Sequence, residues 1–414
     1  MEKQQSKKPL IRFPEFKDAW EHKRLNELLS EAKKRNEDLK YGKDEVLSVS
    51  GELGIVNQIE HLGRSYAGVS VHNYHVVEVG DIVYTKSPLK ANPFGIIKLN
   101  KGKPGIVSTL YAVYKVNQQT AYGPFIDYYF SLDANTNRYL RPLVKKGAKN
   151  DMKINNAYVL HDRIFAPAIP EQKRIASFFT VLDKKIAELK QKKNLLEQYK
   201  KGVMQKLFSQ ELRFKDENGK DFPKWEKKKL KYFLKERKTR NTNCEFEEVF
   251  SVAKNKGVIN QIEHLGRSFA SLEISNYKVV LPNDIIYTKS PTSEFPFGII
   301  KQNKLNRTGV VSVLYGVFIP TNKSIGLLLD LYFSNWENTL NYLTPIVQKG
   351  AKNTINIGNT DFLNGSEISL PASLEEQIKI ADYILAIDSK INYCNIQLEN
   401  TKQYRKGLLQ KMFI

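Results

Sequence analysis

Asn57-Gln58-Ile59-Glu60-His61-Leu62-Gly63-Arg64-Ser65 packs amide, carboxylate, imidazole and guanidinium groups into one short stretch. Arginine matches the edge of guanine, and asparagine or glutamine that of adenine, so this side-chain set can read bases. The same set returns 203 residues later, from Asn260 to Ser268. The candidate readers are therefore Asn57, Gln58, His61, Arg64 and Ser65, with Asn260, Gln261, His264, Arg267 and Ser268. The plainer alternative is a solvated loop whose likeness records a duplication. Tyr84-Thr85-Lys86-Ser87-Pro88 and its twin Tyr287 to Pro291 place a cation and a hydroxyl at a strand end. Lys86, Ser87, Lys289 and Ser290 suit phosphate; a turn set by the proline is the alternative. Lys146, Lys149 and Asn150, with Lys349, Lys352 and Asn353, flank a Gly-Ala pair. Glycine there lets the backbone approach a phosphate closely.

Catalytic patterns do not emerge. An amino-methyltransferase needs an Asp/Asn-Pro-Pro-aromatic loop. Asn92-Pro93-Phe94 lacks the second proline, and Phe295-Pro296-Phe297 also lacks the asparagine. No Gly-rich fingerprint or Walker loop follows a strand. His72-Asn73-Tyr74-His75 resembles a ligand pair, but its counterpart, Ile274 to Lys278, does not repeat it, so it reads as structural. His61 and His264 lack the carboxylate and lysine set of a nuclease. Cys244 and Cys394 match no metal-ligand spacing. The expectation is no catalytic residue, no metal and no cofactor.

The scaffold that must position these residues is itself repeated. The 203-residue offset also carries Pro93-Phe94-Gly95 onto Pro296-Phe297-Gly298; later it becomes 205, carrying Glu171-Gln172 onto Glu376-Gln377. Upstream, Arg12-Phe13…Trp20 echoes Arg213-Phe214…Trp225. Such long units are no solenoid. Within each copy the texture changes once. Short β-branched and aromatic runs, such as Asp81-Ile82-Val83-Tyr84, predict a mixed α/β globule with short helices over Phe125–Leu132 and Asn135–Val144. Then Ile175, Leu182, Leu189, Leu196 and Val203 recur every seventh residue, with Phe179, Ile186 and Leu207 as companions. Ile380, Ile387, Cys394 and Leu408 do so in the second copy, with Ile384, Ile391, Leu398 and Met412. These are heptad seams of long helices. Lys193, Lys200, Thr401 and Arg405 interrupt them, and are expected to snorkel or to meet another chain. A single-striped helix needs a partner, and each helix is the other's obvious one. An antiparallel pair is expected, since a globule then caps each end. The fold class is α+β: two α/β globules alternating with two long helices paired as an antiparallel coiled coil, in a pseudo-twofold repeat. Expected boundaries are 1–165, 166–212, 213–370 and 371–414.

Composition narrows the partner. Across 414 residues, 65 Lys+Arg oppose 44 Asp+Glu, a net charge of +21. That surplus points to a polyanion, with nucleic acid first and an anionic membrane as competitor. No apolar run reaches the roughly 18 residues of a membrane span. The polar start, Met1 to Leu10, does not read as a signal peptide. Two cysteines fit a reducing cytoplasm.

The junctions Ala166-Pro167-Ala168-Ile169-Pro170-Glu171-Gln172 and Leu370-Pro371 to Glu376-Gln377 carry a family resemblance. With the Arg-Phe…Trp segments, the Gly80-Asp81 edge and the Lys-Gly-Ala segments, they resemble the specificity subunits of Type I restriction-modification enzymes. Pro282-Asn283-Asp284 replaces Gly80-Asp81 in the second copy. The resemblance implies two target recognition domains, each reading half of a bipartite site on double-stranded DNA. It implies helices that act as spacer and dock two adenine methyltransferase subunits, with motor-nuclease restriction subunits able to join. Two rivals remain: a stand-alone DNA-binding or architectural protein, and a nuclease with an unrecognised site.

Overall fold

A computed structural model describes residues 8–146, 152–254, 256–271, 273–292, 294–349 and 355–414. The chain forms two compact units. One comprises residues 1–192 with 394–414, the other residues 193–393.

The first unit is built on a four-stranded antiparallel sheet, ordered Leu29–Glu31, Tyr111–Val116, Ile82–Thr85, Ile96–Leu99. Tyr84 pairs with Ala112 on one side and Ile97 on the other. A hairpin, Leu47–Ser50 with Gly54–Asn57, and a pair, His75–Val77 with Gly105–Val107, complete one side. The short helices fall at Gly123–Phe130 and Asp133–Leu140, each starting two residues before its expected position. The second unit repeats the sheet as Leu234–Glu236, Gly316–Pro320, Ile285–Thr288, Ile299–Gln302. Its helices are Lys323–Tyr332 and Trp336–Leu343.

The Phe-Gly motif is a structural knot. Gly95 and Gly298 have φ of +91° and +99°, and a Cβ on either would strike the carbonyl oxygen of Thr85 or Thr288. Only glycine satisfies both demands. The Tyr84 hydroxyl donates to the Phe94 carbonyl at 2.8 Å, and Tyr287 to Phe297 at 2.7 Å. The exchange of Gly80 for Asn283 is equally legible: both have positive φ, 91° and 70°, a region asparagine tolerates.

The long helices run Ile169–Phe208 and Leu374–Met412. The first begins with Pro170 in its opening turn, where a missing N–H costs nothing. In the first unit Ile175 and Phe179 from the start of one helix join Leu409 and Met412 from the end of the other in a single core. In the second unit Val203 and Leu207 join Ile380, Ile384 and Ile387. Start meets end in each unit, so the helices pair antiparallel. The seam interruptions find partners within this chain. Arg405 pairs with Asp183, and Lys200 with Asp388 at 2.5 Å. By the 205-residue offset these are two copies of one ion pair. Lys193 turns to Glu197 on its own helix, at 3.6 Å, and Thr401 donates back to the Gln397 carbonyl. Leu189 and Cys394 are also repeat equivalents, and the Cys394 thiol donates to the Leu189 carbonyl at 3.3 Å.

Each globule is tied to its helix by a buried carboxylate. Glu171 accepts from Arg12 Nε and Nη2, both at 2.7 Å, and from Trp20 Nε1 at 3.2 Å. Glu376 accepts from Arg213 and, at 3.1 Å, from Trp225 Nε1. Glu376 is fully buried and Glu171 nearly so. The neighbouring amides close the joint: Gln172 donates to the Pro167 and Thr120 carbonyls, Gln377 to that of Pro371. Removing one partner of a buried pair strands the other charge, at a cost of about 3–5 kcal/mol. Glu376→Ala should lose stability of that order in urea denaturation. Pairing Glu376→Leu with Arg213→Met should recover part of it; a double variant no more stable than Glu376→Ala would refute the account.

Candidate nucleic-acid interface

The Asn-Gln-Ile-Glu-His-Leu-Gly block, expected as a loop segment, is a one-turn helix with both caps encoded. Gln58–Leu62 comes directly after Asn57, whose side-chain oxygen accepts from the N–H groups of Ile59 and Glu60. Gly63, at φ 75°, ends it in the left-handed region that glycine favours. Gln261–Leu265 is identical in plan, with Asn260 as N-cap and Gly266 at φ 72°. The asparagines are thus engaged in folding; Asn57 also donates to the Asp44 carbonyl and Asn260 to Glu248. The glutamines brace the segment leaving each helix. Gln58 donates to Ser48 Oγ and accepts from the Tyr66 N–H; Gln261 does the same with Ser251 and Phe269.

This frame presents Arg64 and Arg267. Both are exposed. Each guanidinium lies over an aromatic ring two residues on, Arg64 on Tyr66 at 4.6 Å and Arg267 on Phe269 at 4.5 Å. Both rings are 59% exposed, so these contacts are not core packing. A stacked guanidinium loses rotamer freedom yet keeps its outward N–H fork for an acceptor. The aromatic partners escaped sequence reasoning, although the signal was there: Arg-Ser-aromatic occurs in both copies. His61 and His264 are exposed on the same short helices, with His264 3.2 Å from Lys256 Nζ. Ser65 and Ser268 accept from the backbone N–H groups of Ala67 and Ala270.

Lys86 and Lys289 sit on a different element, the end of a central sheet strand, and are half-buried. Lys86 donates to Asn156 Oδ1 at 2.6 Å. Burial lowers the pKa of both ammonium groups, while Glu31 counters it at Lys86, and Glu236 and Asp361 at Lys289. Ser87 and Ser290 are exposed, their N–H groups donating to Thr85 and Thr288. Lys149, Asn150, Lys352 and Asn353 lie outside the described residues; Lys146 and Lys349 end short strand pairs, Lys145–Lys146 with Met152–Lys153 and Gln348–Lys349 with Ile355–Asn356. Among the described residues no group of His, Cys, Asp and Glu could hold a metal, and no helix is long and apolar enough to cross a membrane.

Each globule of the duplicated chain thus presents a capped turn with a stacked, exposed arginine. Residues 17–198 match the family model described as Type I restriction modification DNA specificity domain. That segment is similar to this family's domain, and the internal repeat gives the second half the same plan. Among solved structures, the fold is similar to the S subunit of a Type I restriction-modification system from M. genitalium, at 13% identity and TM-score 0.57, covering 99% of both chains. It is also similar to a chain from a structure described as the basis of complex assembly and conformational transition of the type I R-M system, at 16% identity and TM-score 0.50, covering 95% of this chain and 97% of that one.

His75 lies beside Lys86 and Arg35 but takes no cationic role. It is buried, its Nδ1 has no partner among the described residues, and its pKa falls to about 4 through burial, aided by Arg35 and Lys86. Its unfolded value is near 6.5. The unfolded chain therefore binds the extra proton first, and stability falls as pH drops below about 6.5 toward 4. Between pH 7 and 5 His75 should account for a loss on the order of 1 kcal/mol. Urea titrations of His75→Leu should show a correspondingly flatter pH dependence; an unchanged slope would remove His75 from the acid response.

Proposed function

We propose that the chain is the non-catalytic DNA-reading subunit of a Type I restriction-modification complex. Each globule reads one half of a bipartite site on duplex DNA. The paired helices set the spacer and dock two methyltransferase subunits, which restriction subunits join. The observation that carries this reading is the duplicated, exposed Arg–aromatic pair on a specificity-domain scaffold. Arg64 and Arg267 are assigned to base edges, assisted by His61 and His264. Asn57, Gln58, Asn260 and Gln261 hold those loops in shape, with Ser65 and Ser268. Lys86, Ser87, Lys289 and Ser290, with the basic segments at Lys146–Asn150 and Lys349–Asn353, are assigned to phosphates.

Purified alone, the chain should bind duplex DNA without cutting or methylating it, and should co-purify with a methyltransferase encoded beside it. Cleavage by the lone chain with a divalent metal would favour a nuclease; failure to associate with any methyltransferase would favour an architectural protein. Arg64→Ala should lose about 1–3 kcal/mol of specific affinity and relax specificity in one half-site, whereas Lys86→Ala should weaken all sequences alike and lower the salt slope by about 1. Equal effects of Arg64→Ala on specific and random duplexes would remove it from base reading.

Because the loops are duplicated with their arginines, the half-sites should be related words in inverted orientation, their centres about 10 bp apart. Sequencing the host's methylated adenines tests this. Two unrelated half-sites would place the readers in divergent stretches, such as Leu89–Asn92 against Thr292–Phe295.

A further inference from the structure

The second unit holds a cleft of about 630 Å³ between its sheet, its side hairpin and its segment of the first long helix. Six lysines line it: Lys200 and Lys201 from the helix, Lys254 and Lys256 from the hairpin turn, Lys301 and Lys304 from the sheet end. Three carboxylates of the lining oppose them, Glu197, Asp330 and Asp388, and Glu294 pairs with Lys254 from beside the cleft, which still leaves a cationic excess. Met204, Phe208, Leu305 and Leu331 supply an apolar wall. Lys301 is the unusual member. It is only 9% exposed, yet among the described residues its ammonium has just Ser334 Oγ at 2.6 Å and Asp330 at 3.6 Å. Asp330 is claimed more closely by Lys304, at 2.7 Å. A buried cation with so weak a counter-charge favours an anion beside it.

The first unit provides an internal control. Its equivalent cleft is smaller, about 400 Å³, and there Lys98, Lys101, Lys402 and Arg405 face Glu52, Asp127 and Asp183 in near balance. Tyr128 stands where the second unit has Leu331, and its hydroxyl donates to Asp183 at 2.8 Å. Gly51 and Leu53 stand where the second has Lys254 and Lys256. The reading loops survive in both copies; the wide cleft with six lysines belongs to only one. A surface used alike by both readers on DNA would be kept in both, so the cleft serves something else.

We propose that the second unit binds a small phosphorylated organic molecule of nucleotide size, its phosphates on the lysines at Lys301 and its body on the apolar wall. Lysines offer point charges that suit phosphate, whereas planar carboxylate recognition favours the arginine fork, which this lining lacks. The volume falls within the range of small-ligand sites, roughly 300–1,000 Å³. The site does not depend on DNA reading and can be tested without DNA.

The test is calorimetric titration of the full chain with ADP, and separately with inorganic pyrophosphate, adenosine and a poly-glutamate peptide. The expected result is one saturable ADP site, with pyrophosphate weaker and adenosine weakest. Leu331→Tyr, which installs the first unit's residue, and Lys301→Met should each weaken ADP binding about tenfold or more, with duplex DNA affinity and unfolding midpoint unchanged as controls for folding. Absence of saturable ADP binding would overturn the proposal, as would binding that both variants leave intact. Saturation by the poly-glutamate peptide but not by ADP would also overturn it, in favour of an acidic protein segment.

Discussion

The joint between globule and helix rests on one buried carboxylate per repeat. Glu171 and Glu376 lie in the first turn of their helices, where the N-terminal dipole favours negative charge. Each accepts an arginine and a tryptophan from a segment about 150 residues earlier in the chain. A buried charge needs such satisfaction. Meeting it fastens the entry segment of the globule to the start of the helix. The helix start and the globule then belong to one packed body, and the apolar stripe continues the globule's core through Ile175 and Phe179, or Ile380 and Ile384.

That constraint makes sense of an otherwise polar protein. The seam between the long helices is not purely apolar. Its interruptions are charge pairs, Arg405 with Asp183 and Lys200 with Asp388, which tie the two helices in register. Partly buried ion pairs add little net stability, but misregister would leave their charges unpaired. Rigid loops obey the same logic. The asparagine and glycine caps and the glutamine brace use the local polar groups that do not face outward, so the arginine is held by shape and stacking before any ligand arrives.

Much of this was legible from residues alone. The two-copy plan and the heptads Ile175 to Val203 and Ile380 to Leu408 came from periodicity, the pairing from the need of a striped helix for a partner, and its antiparallel sense from the expectation that a globule caps each end. Glycine, proline and asparagine marked turns through their backbone preferences. Less legible was which polar groups fold the protein and which remain free. Asn57 and Arg64 stood as equals in a string of polar residues; the cap consumes one and leaves the other. The Asn-capped, Gly-ended block also contained a helix signal that its shortness concealed.

The sequence by itself determined the duplication, the helix faces and the basic character, because these depend on residue type and spacing along one chain. Tertiary structure alone decided what meets across long separations. It made Glu171 a joint, turned the seam-breaking Lys200 and Arg405 into ion pairs, and opened a lysine-lined cleft where Leu331 replaces Tyr128. These depend on partners more than a hundred residues away or on space left unfilled, and neither is written in local pattern. The two-copy plan is thus a property of the chain, while the choice of which arginines face outward belongs to the fold.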